Sequence, residues 1–350
     1  METIYVGMDL HKSTSSFCVM DNTGKVLIEK TIRTVPEEVK KFIDGLGKKK
    51  EVKLVMEPLS QWYFYADFIE SLNVKVHLAH PMKVKAISSA KIKTDKIDAK
   101  ILAHLLRTDL LPEAYFAPKE VRNWKELVRA RLGQIDLIIQ IKNKIHSILF
   151  RNALNYKRSF LFTKKGRKWL EELELNECFK LNLQINLNNL DNLVEEMKVL
   201  EKKIIEVISL NKDMQLLMTI PGIDKITAIT IMSEIGSISR FESPKKLHSF
   251  AGLVPTIRNS GGNIFHGQLN KQGSVYLRTV IIGAARHQIT LKNSVGLKWF
   301  YERMLLNKKN GKTAVVATAR KLLTIVYKVL SEQRSFEERL PKTYKIISSN

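Results

Sequence analysis

Thr3-Ile4-Tyr5-Val6-Gly7-Met8-Asp9 sets Ile4, Val6 and Met8 on one face of an extended segment and closes on a carboxylate. Period-two alternation of this kind marks a strand. Ser13 to Met20 reads as a second strand, Asp21-Asn22-Thr23-Gly24-Lys25 as a hairpin turn, and Val26 to Arg33 as a third strand. Pro36 to Leu46 reads as a helix, with proline near its start and Gly45 and Gly47 near its end. Val52 to Met56 is a short buried-type strand that delivers Glu57 at its C-terminal end. Gln61 to Leu72 reads as a helix and Val74 to Leu78 as a strand closed by His80-Pro81. A basic connector, Met82 to Lys93, leads to a further helix.

The order β-β-β-α-β-α-β-α predicts three antiparallel strands extended by parallel ones that alternate with helices. It is the order of the ribonuclease H-like fold, so the first domain is expected to be α/β. In such a sheet Asp9 and Glu57, at strand ends, meet acidic residues of a later helix. Lys93-Thr94-Asp95-Lys96-Ile97-Asp98-Ala99 supplies them. With Thr94 as N-cap, Asp95 and Asp98 fall in the first turn and leave the helix on one face. Acidic residues there also complement the helix dipole, and Asp9 and Glu57 taken singly read as turn and loop carboxylates. Together, Asp9, Glu57, Asp95 and Asp98 form a hard-oxygen set suited to Mg²⁺, or Mn²⁺. Two such ions can stabilise the attacking and leaving oxygens of phosphodiester transfer. His11 and His80 lie near the same end. A lone histidine is more often structural, and both stay outside the set.

At 350 residues the chain is long for a single core. Four regions are expected: 1–110, a catalytic domain; 111–210, helical; 211–335, a mainly α domain; and 336–350, a polar tail. The formal charge of +23 would attract a polyanion. Lysine and arginine cluster at 48–50, 83–100, 157–168 and 308–321, with Tyr156, Phe160, Trp169, Trp299 and Tyr301 beside some of them. Such clusters predict salt-dependent nucleic-acid binding. The same charge would also suit a plain solvated surface. Cys18 and Cys178 are the only cysteines, which argues against a disulfide framework or a cysteine zinc site. With no signal-peptide pattern and no apolar run of roughly 18–20 residues, a cytoplasmic protein without a membrane partner is expected.

From Glu120 to Phe150 the pattern is helical. Val128, Leu132, Ile135 and Ile139 form one stripe, and Leu190, Leu193, Met197, Leu200 and Ile204 another. These predict a coiled-coil-like pair or core-facing amphipathic helices. Arg151 to Lys168 reads as a basic loop. Leu216 to Gly236, with Ile220-Pro221-Gly222-Ile223 inside it, resembles a helix-hairpin-helix whose turn at Gly222 could hold a DNA phosphate. A plain helical hairpin fits as well. Ser260-Gly261-Gly262 reads as a loop, with Arg258, Lys271 and Arg278 as nearby cations. Helices are expected near 277–289 and 312–330, and a loosely ordered end from Ser331.

Asp9-Leu10-His11-Lys12, Glu57 and Lys93 to Ala99 resemble the N-terminal DEDD domain of the insertion-sequence one-ten family of transposases, relatives of the Piv-type DNA invertases. Ile220 to Ile223, Phe250-Ala251-Gly252-Leu253-Val254-Pro255, Ser260-Gly261-Gly262 and Lys271-Gln272-Gly273 resemble that family's second region. The resemblance implies a Holliday-junction-resolvase-like domain with Asp9, Glu57, Asp95 and Asp98 as metal ligands. It implies Ser260 as the nucleophile of a transient phosphoserine link to DNA; read without it, Ser260 is a turn residue. It further implies a structured guide RNA that pairs with donor and target DNA, and a dimer of dimers with sites shared between chains. Lys93, Lys96, Gly222, Arg258, Lys271 and Arg278 are the expected nucleic-acid contacts. Two departures stand out: Pro58-Leu59-Ser60 follows Glu57 where many relatives carry Thr-Gly, and Asn263 stands where a basic residue is common. The other reading is a Mg²⁺-dependent junction-resolving nuclease without serine catalysis.

Overall fold

The computed structural model describes residues 2–47, 50–59, 61–87, 94–260, 263–270, 272–291, 294–307 and 310–338, with backbone only at 257–260 and 263–266. The chain divides into two compact units, Met1–Phe116 and Ala117–Asn350.

In the first unit the elements run β1 (Glu2–Leu10), β2 (Thr14–Met20), β3 (Val26–Arg33), α1 (Pro36–Asp44), β4 (Lys50–Met56), α2 (Trp62–Glu70), β5 (Lys75–Leu78), α3 (Pro81–Ile87) and α4 (Asp95–Arg107). The sheet order is β3-β2-β1-β4-β5. The β1–β2 and β2–β3 pairs are antiparallel, and β1–β4 and β4–β5 are parallel. This mixed sheet is consistent with a ribonuclease H-like domain. The helix α3 replaces part of the expected basic connector: a proline opens it and Val84 buries against the sheet.

Because β1 is central, both of its faces are covered. Ile4, Val6, Met8 and Leu10 pack with residues of α1 and α2, such as Val39, Ile43 and Ile69. The opposite face, carrying Tyr5, Gly7 and Asp9, receives α4. There Ala99 and Ala103 pack with Cys18 and Met20, while Leu102, Leu105 and Leu106 pack with Val55 and Ala79. At the crossing no side chain intervenes. A Cβ built on Gly7 would stand 1.9 Å from the Ala99 carbonyl oxygen and 2.7 Å from the Ala103 nitrogen. The glycine lets helix and strand backbones touch.

The second unit holds α5 (Lys119–Arg151), α6 (Lys164–Glu172), α7 (Glu177–Ser209), α8 (Lys212–Met218), α9 (Lys225–Ile235), α10 (Pro244–Phe250), β6 (Pro255–Ser260), β7 (Asn263–Leu269), α11 (Val275–Thr290), α12 (Val295–Leu306) and α13 (Gly311–Ser331). Its main core is built on α9, buried from Ala228 to Ile235, against α8, α11, α13 and the start of α5. The long helices α5 and α7 run antiparallel: Arg131 pairs with Glu201 at 3.0 Å, while Ile145 and Ile148 meet Leu183 and Leu187 further along. The expected α5 stripe is only partly the contact face. Leu132 and Ile139 are exposed, and Ile138 and Ile141 pack inward instead.

Three sequence expectations change here. Part of the expected 151–168 loop is α6, capped by Thr163, whose Oγ1 accepts from the Gly166 amide. The serine loop is a two-stranded hairpin, with Ser260 paired to Asn263 across a two-residue connection. The chain end is also tied down as far as it is described: the Phe336 amide donates to Thr219 Oγ1 at 2.8 Å and Glu338 accepts from the Gly296 amide at 2.6 Å.

Candidate functional site

The parallel register of β1 with β4 ends at Met8 opposite Met56, so Asp9 and Glu57 are the next residues on adjacent strands. Strands pair about 4.8 Å apart, so both carboxylates stand at one sheet end. The start of α4 comes to the same place. Thr94 caps it, its Oγ1 accepting from the Ile97 amide at 3.3 Å. Asp95 and Asp98 therefore occupy the first turn, as the spacing predicted.

Asp9 is buried, 7% exposed, and Asp95 is exposed. His11 bridges them: its Nε2 lies 3.1 Å from Asp9 Oδ2 and 3.6 Å from Asp95 Oδ1. One ligand atom from each of Asp9, His11 and Asp95 falls within 4.8 Å of the others. Glu57 and Asp98 stand outside that triangle. Asp98 is near enough to act on Asp9 through its charge. Burial raises the Asp9 carboxyl above its ordinary value; His11 opposes the rise, and the charges of Asp95 and Asp98 add to it. A desolvated carboxylate facing like charges is relieved by a cation, so this donor set fits a hard divalent ion. His11 was passed over in the sequence. Its signal was its place two residues beyond Asp9, just past the end of the same strand.

In the second unit, Ser260 and Arg258 lie on β6, which ends at the hairpin connection. The base of the hairpin is a close crossing of two of the quoted motifs. A Cβ on Gly273 would lie 2.3 Å from the Phe250 oxygen and 2.4 Å from the Gly252 nitrogen, so Phe250-Ala251-Gly252 and Gln272-Gly273 touch backbone to backbone. Arg278 reaches into this crossing, its Nη1 donating to the Ala251 carbonyl at 3.3 Å. Ser274 caps α11, accepting from the Leu277 amide and donating to Glu234 Oε2 at 2.8 Å. The other Glu234 oxygen accepts from Arg129, whose guanidinium lies over the Tyr276 ring. The sequence offered no sign of this buried Glu234, since its partners are 40 and 105 residues away.

Gly222 has φ +78° and sits between α8 and α9. The Gln288 side chain clamps the turn by donating to the Pro221 carbonyl. Asp224 caps α9, accepting from the Thr227 amide at 2.8 Å. Lys96 is exposed on the first turn of α4. Lys93 and Lys271 lie outside the described residues. Both cysteines are free, and burial pushes the Cys18 thiol up to about 11. Among the described residues no helix is long and apolar enough to cross a membrane.

Residues 6–151 match a DEDD family of the IS110 type described as "Transposase", and residues 214–302 match the "Transposase IS116/IS110/IS902 family". The transposase for insertion sequence element IS1111A of Coxiella burnetii is 24% identical over 95% of this chain and 90% of its own length. The pilin gene-inverting protein of Moraxella bovis is 27% identical over 97% and 99%. The transposase for IS1533 of Leptospira borgpetersenii is 27% identical over 71% and 74%. With a DEDD-type match over the sheet and its acidic end, and a second match over the hairpin and the α8–α9 turn, this chain belongs to the IS110 family of transposases.

Proposed function

We propose that this transposase cuts and rejoins DNA strands with a divalent metal held at Asp9, Glu57, Asp95 and Asp98 and with Ser260 as nucleophile. The convergence of Asp9, His11 and Asp95 at the end of β1 carries the reading. Mg²⁺, or Mn²⁺, would supply charge neutralisation at the transferring phosphate. The work of the chain itself is positional. The seat of α4 on Gly7 holds Asp95 and Asp98 toward the buried Asp9, and the His11 imidazole orients the Asp9 carboxylate. Ser260 is the last residue of β6, in a hairpin anchored at Gly252 and Gly273. In the transfer, the Ser260 Oγ–phosphorus bond forms as a phosphorus–oxygen bond of the DNA backbone breaks. The hydroxyl proton is lost to solvent and the departing oxygen takes one up. The reverse exchange rejoins a strand without an external energy source.

The remaining parts of the proposal follow the family. Region 1–110 is the catalytic domain, 111–210 the helical region, 211–335 the serine-bearing domain and 336–350 the tail. Donor and target DNA are selected by a structured guide RNA, contacted through Lys93, Lys96, Arg258, Lys271, Arg278 and the α8–α9 turn at Gly222. The α5–α7 pair contributes to a dimer, or dimer of dimers, in which the metal site of one chain meets the serine of another. A denaturing gel tests the chemistry. The wild type should yield a covalent protein–DNA species that needs the metal, and Ser260→Ala should yield none. If Ser260→Ala still recombines, the serine is not the nucleophile. If the wild type nicks DNA and never forms the adduct, the protein is a junction-type nuclease. Full recombination by an Asp95→Asn, Asp98→Asn double variant would remove the metal site from the proposal.

A further inference from the structure

A cavity of about 540 Å³ opens between α12 and α13, far in sequence from the acidic cluster. Trp299 and Phe300 of α12 and Phe336 of the chain end give it aromatic walls, and Arg303, Lys321 and Lys328 line it with charge. Its size is that of a small-ligand pocket. The charges are not balanced from within. The two carboxylates on its wall are already engaged: Glu337 meets Arg334, a fourth cation of the lining, at 3.4 Å, and Glu338 accepts from the Gly296 amide. Arg303, Lys321 and Lys328 have no ion pair among the described residues. Trp299 is nine-tenths buried, with the Arg303 guanidinium 5.4 Å from its ring centroid, and its indole N–H finds no partner among the described residues. A buried donor without an acceptor is costly to keep. The walls combine flat rings and cations.

We infer that this cavity receives an unpaired nucleotide: the base stacks among Trp299, Phe300 and Phe336, and its flanking phosphates meet Arg303, Lys321 and Lys328. Aromatic faces with adjacent cations accept any base and track a single strand, whereas a duplex keeps its bases stacked inside. An uncharged apolar ligand would leave the three cations unmatched, and a carboxylate without a ring would leave the aromatic faces without a stacking partner. A peptide would leave the stacking faces underused.

The test uses the full chain in EDTA, so that its outcome is independent of the metal site and of Ser260. Single strands carrying 5-iododeoxyuridine (DNA arm) or 5-iodouridine (RNA arm) are irradiated with the protein, and the adduct is mapped by mass spectrometry. The expected result is attachment at Trp299 or Phe300 in at least one arm, and the reactive arm identifies the source of the nucleotide. An R303Q, K321Q, K328Q variant, all three positions exposed and its fold checked by circular dichroism, should bind the same strand at least tenfold more weakly. Its slope of log affinity against log salt should be shallower by about 2, because three phosphates of a single strand would no longer be neutralised. Trp299→Phe keeps a ring and should retain most of the affinity. Attachment confined to other helices in both arms, or wild-type affinity and salt slope in the triple variant, would overturn the inference.

Discussion

Substituting Gly7 by alanine places one methyl group where the α4 backbone rests. The new carbon would be 1.9 Å from the Ala99 oxygen, 2.7 Å from the Ala103 nitrogen and 2.9 Å from the Ala99 carbonyl carbon. All three are backbone atoms, so no rotamer change relieves the overlap. Restoring ordinary contact requires the helix to retreat by about 1.5 Å, given an optimal separation near 3.5 Å. Overpacking costs typically ~1–3 kcal/mol, and the backbone obstacle puts this case at the upper end or beyond. A loss of about 3 kcal/mol lowers the melting temperature by roughly 10 °C. The functional loss should exceed what the stability loss accounts for. Asp95 and Asp98 open the displaced helix, and His11 now stands 3.6 Å from Asp95. A shift of about 1 Å in a catalytic geometry can cost 10²-fold in rate. The assay is strand cleavage at a temperature where circular dichroism shows the variant folded, with Gly133→Ala as the control. Gly133 is inside α5 and a Cβ there meets nothing within 4 Å, so that change should stabilise by about 0.5–1 kcal/mol. A Gly7→Ala protein that melts and cleaves like the wild type would refute the seating of α4 on β1 and, with it, the account of how the acidic residues are held.

Three further outcomes follow from the same structure. Mg²⁺ at 100 times its dissociation constant should stabilise the wild type by about 2.7 kcal/mol in a melt, and an Asp9→Asn, Asp95→Asn variant should show no such shift. Glu234→Gln leaves the Arg129 charge without its counter-ion beside a carboxylate position only 8% exposed, so chemical denaturation should report a loss of about 3–5 kcal/mol. His248, buried against α13 with its Nε2 3.1 Å from Thr324 Oγ1, is pushed down to about 4, first by burial and then by Arg320. The unfolded chain protonates this ring near 6.5, so between pH 6.5 and about 4 unfolding takes up a proton and stability falls as pH falls. The contribution lost by pH 4 is on the order of 3 kcal/mol, and His248→Gln should flatten that part of the pH–stability curve. A wild type and variant with parallel curves would mean His248 ionises freely in the fold.

What could be read from the sequence was what repeats or what carries charge. The alternation of β1, the hairpin turn after Met20 and the capping threonine at 94 are local signals, and they led to the sheet and to three of its acidic strand and helix ends. The helix α3 and the Ser260 hairpin were harder, because a short helix in a basic stretch and a pair of short strands gain their stability from what they pack against. The helix α12 mixes Trp299, Phe300 and Tyr301 with charged residues and presents no clean stripe. The larger gap concerns glycine. By composition Gly7 weakens a strand, and Gly252 and Gly273 look like loop residues. In the fold each marks a place where two backbones meet without a side chain between them: Gly7 under Ala99, Gly273 against Phe250 and Gly252. The two candidate halves of the chemistry are held by such crossings, one beneath the acidic helix and one beneath the serine hairpin. Side-chain motifs therefore name the reacting groups, and these glycine crossings determine how closely those groups are held.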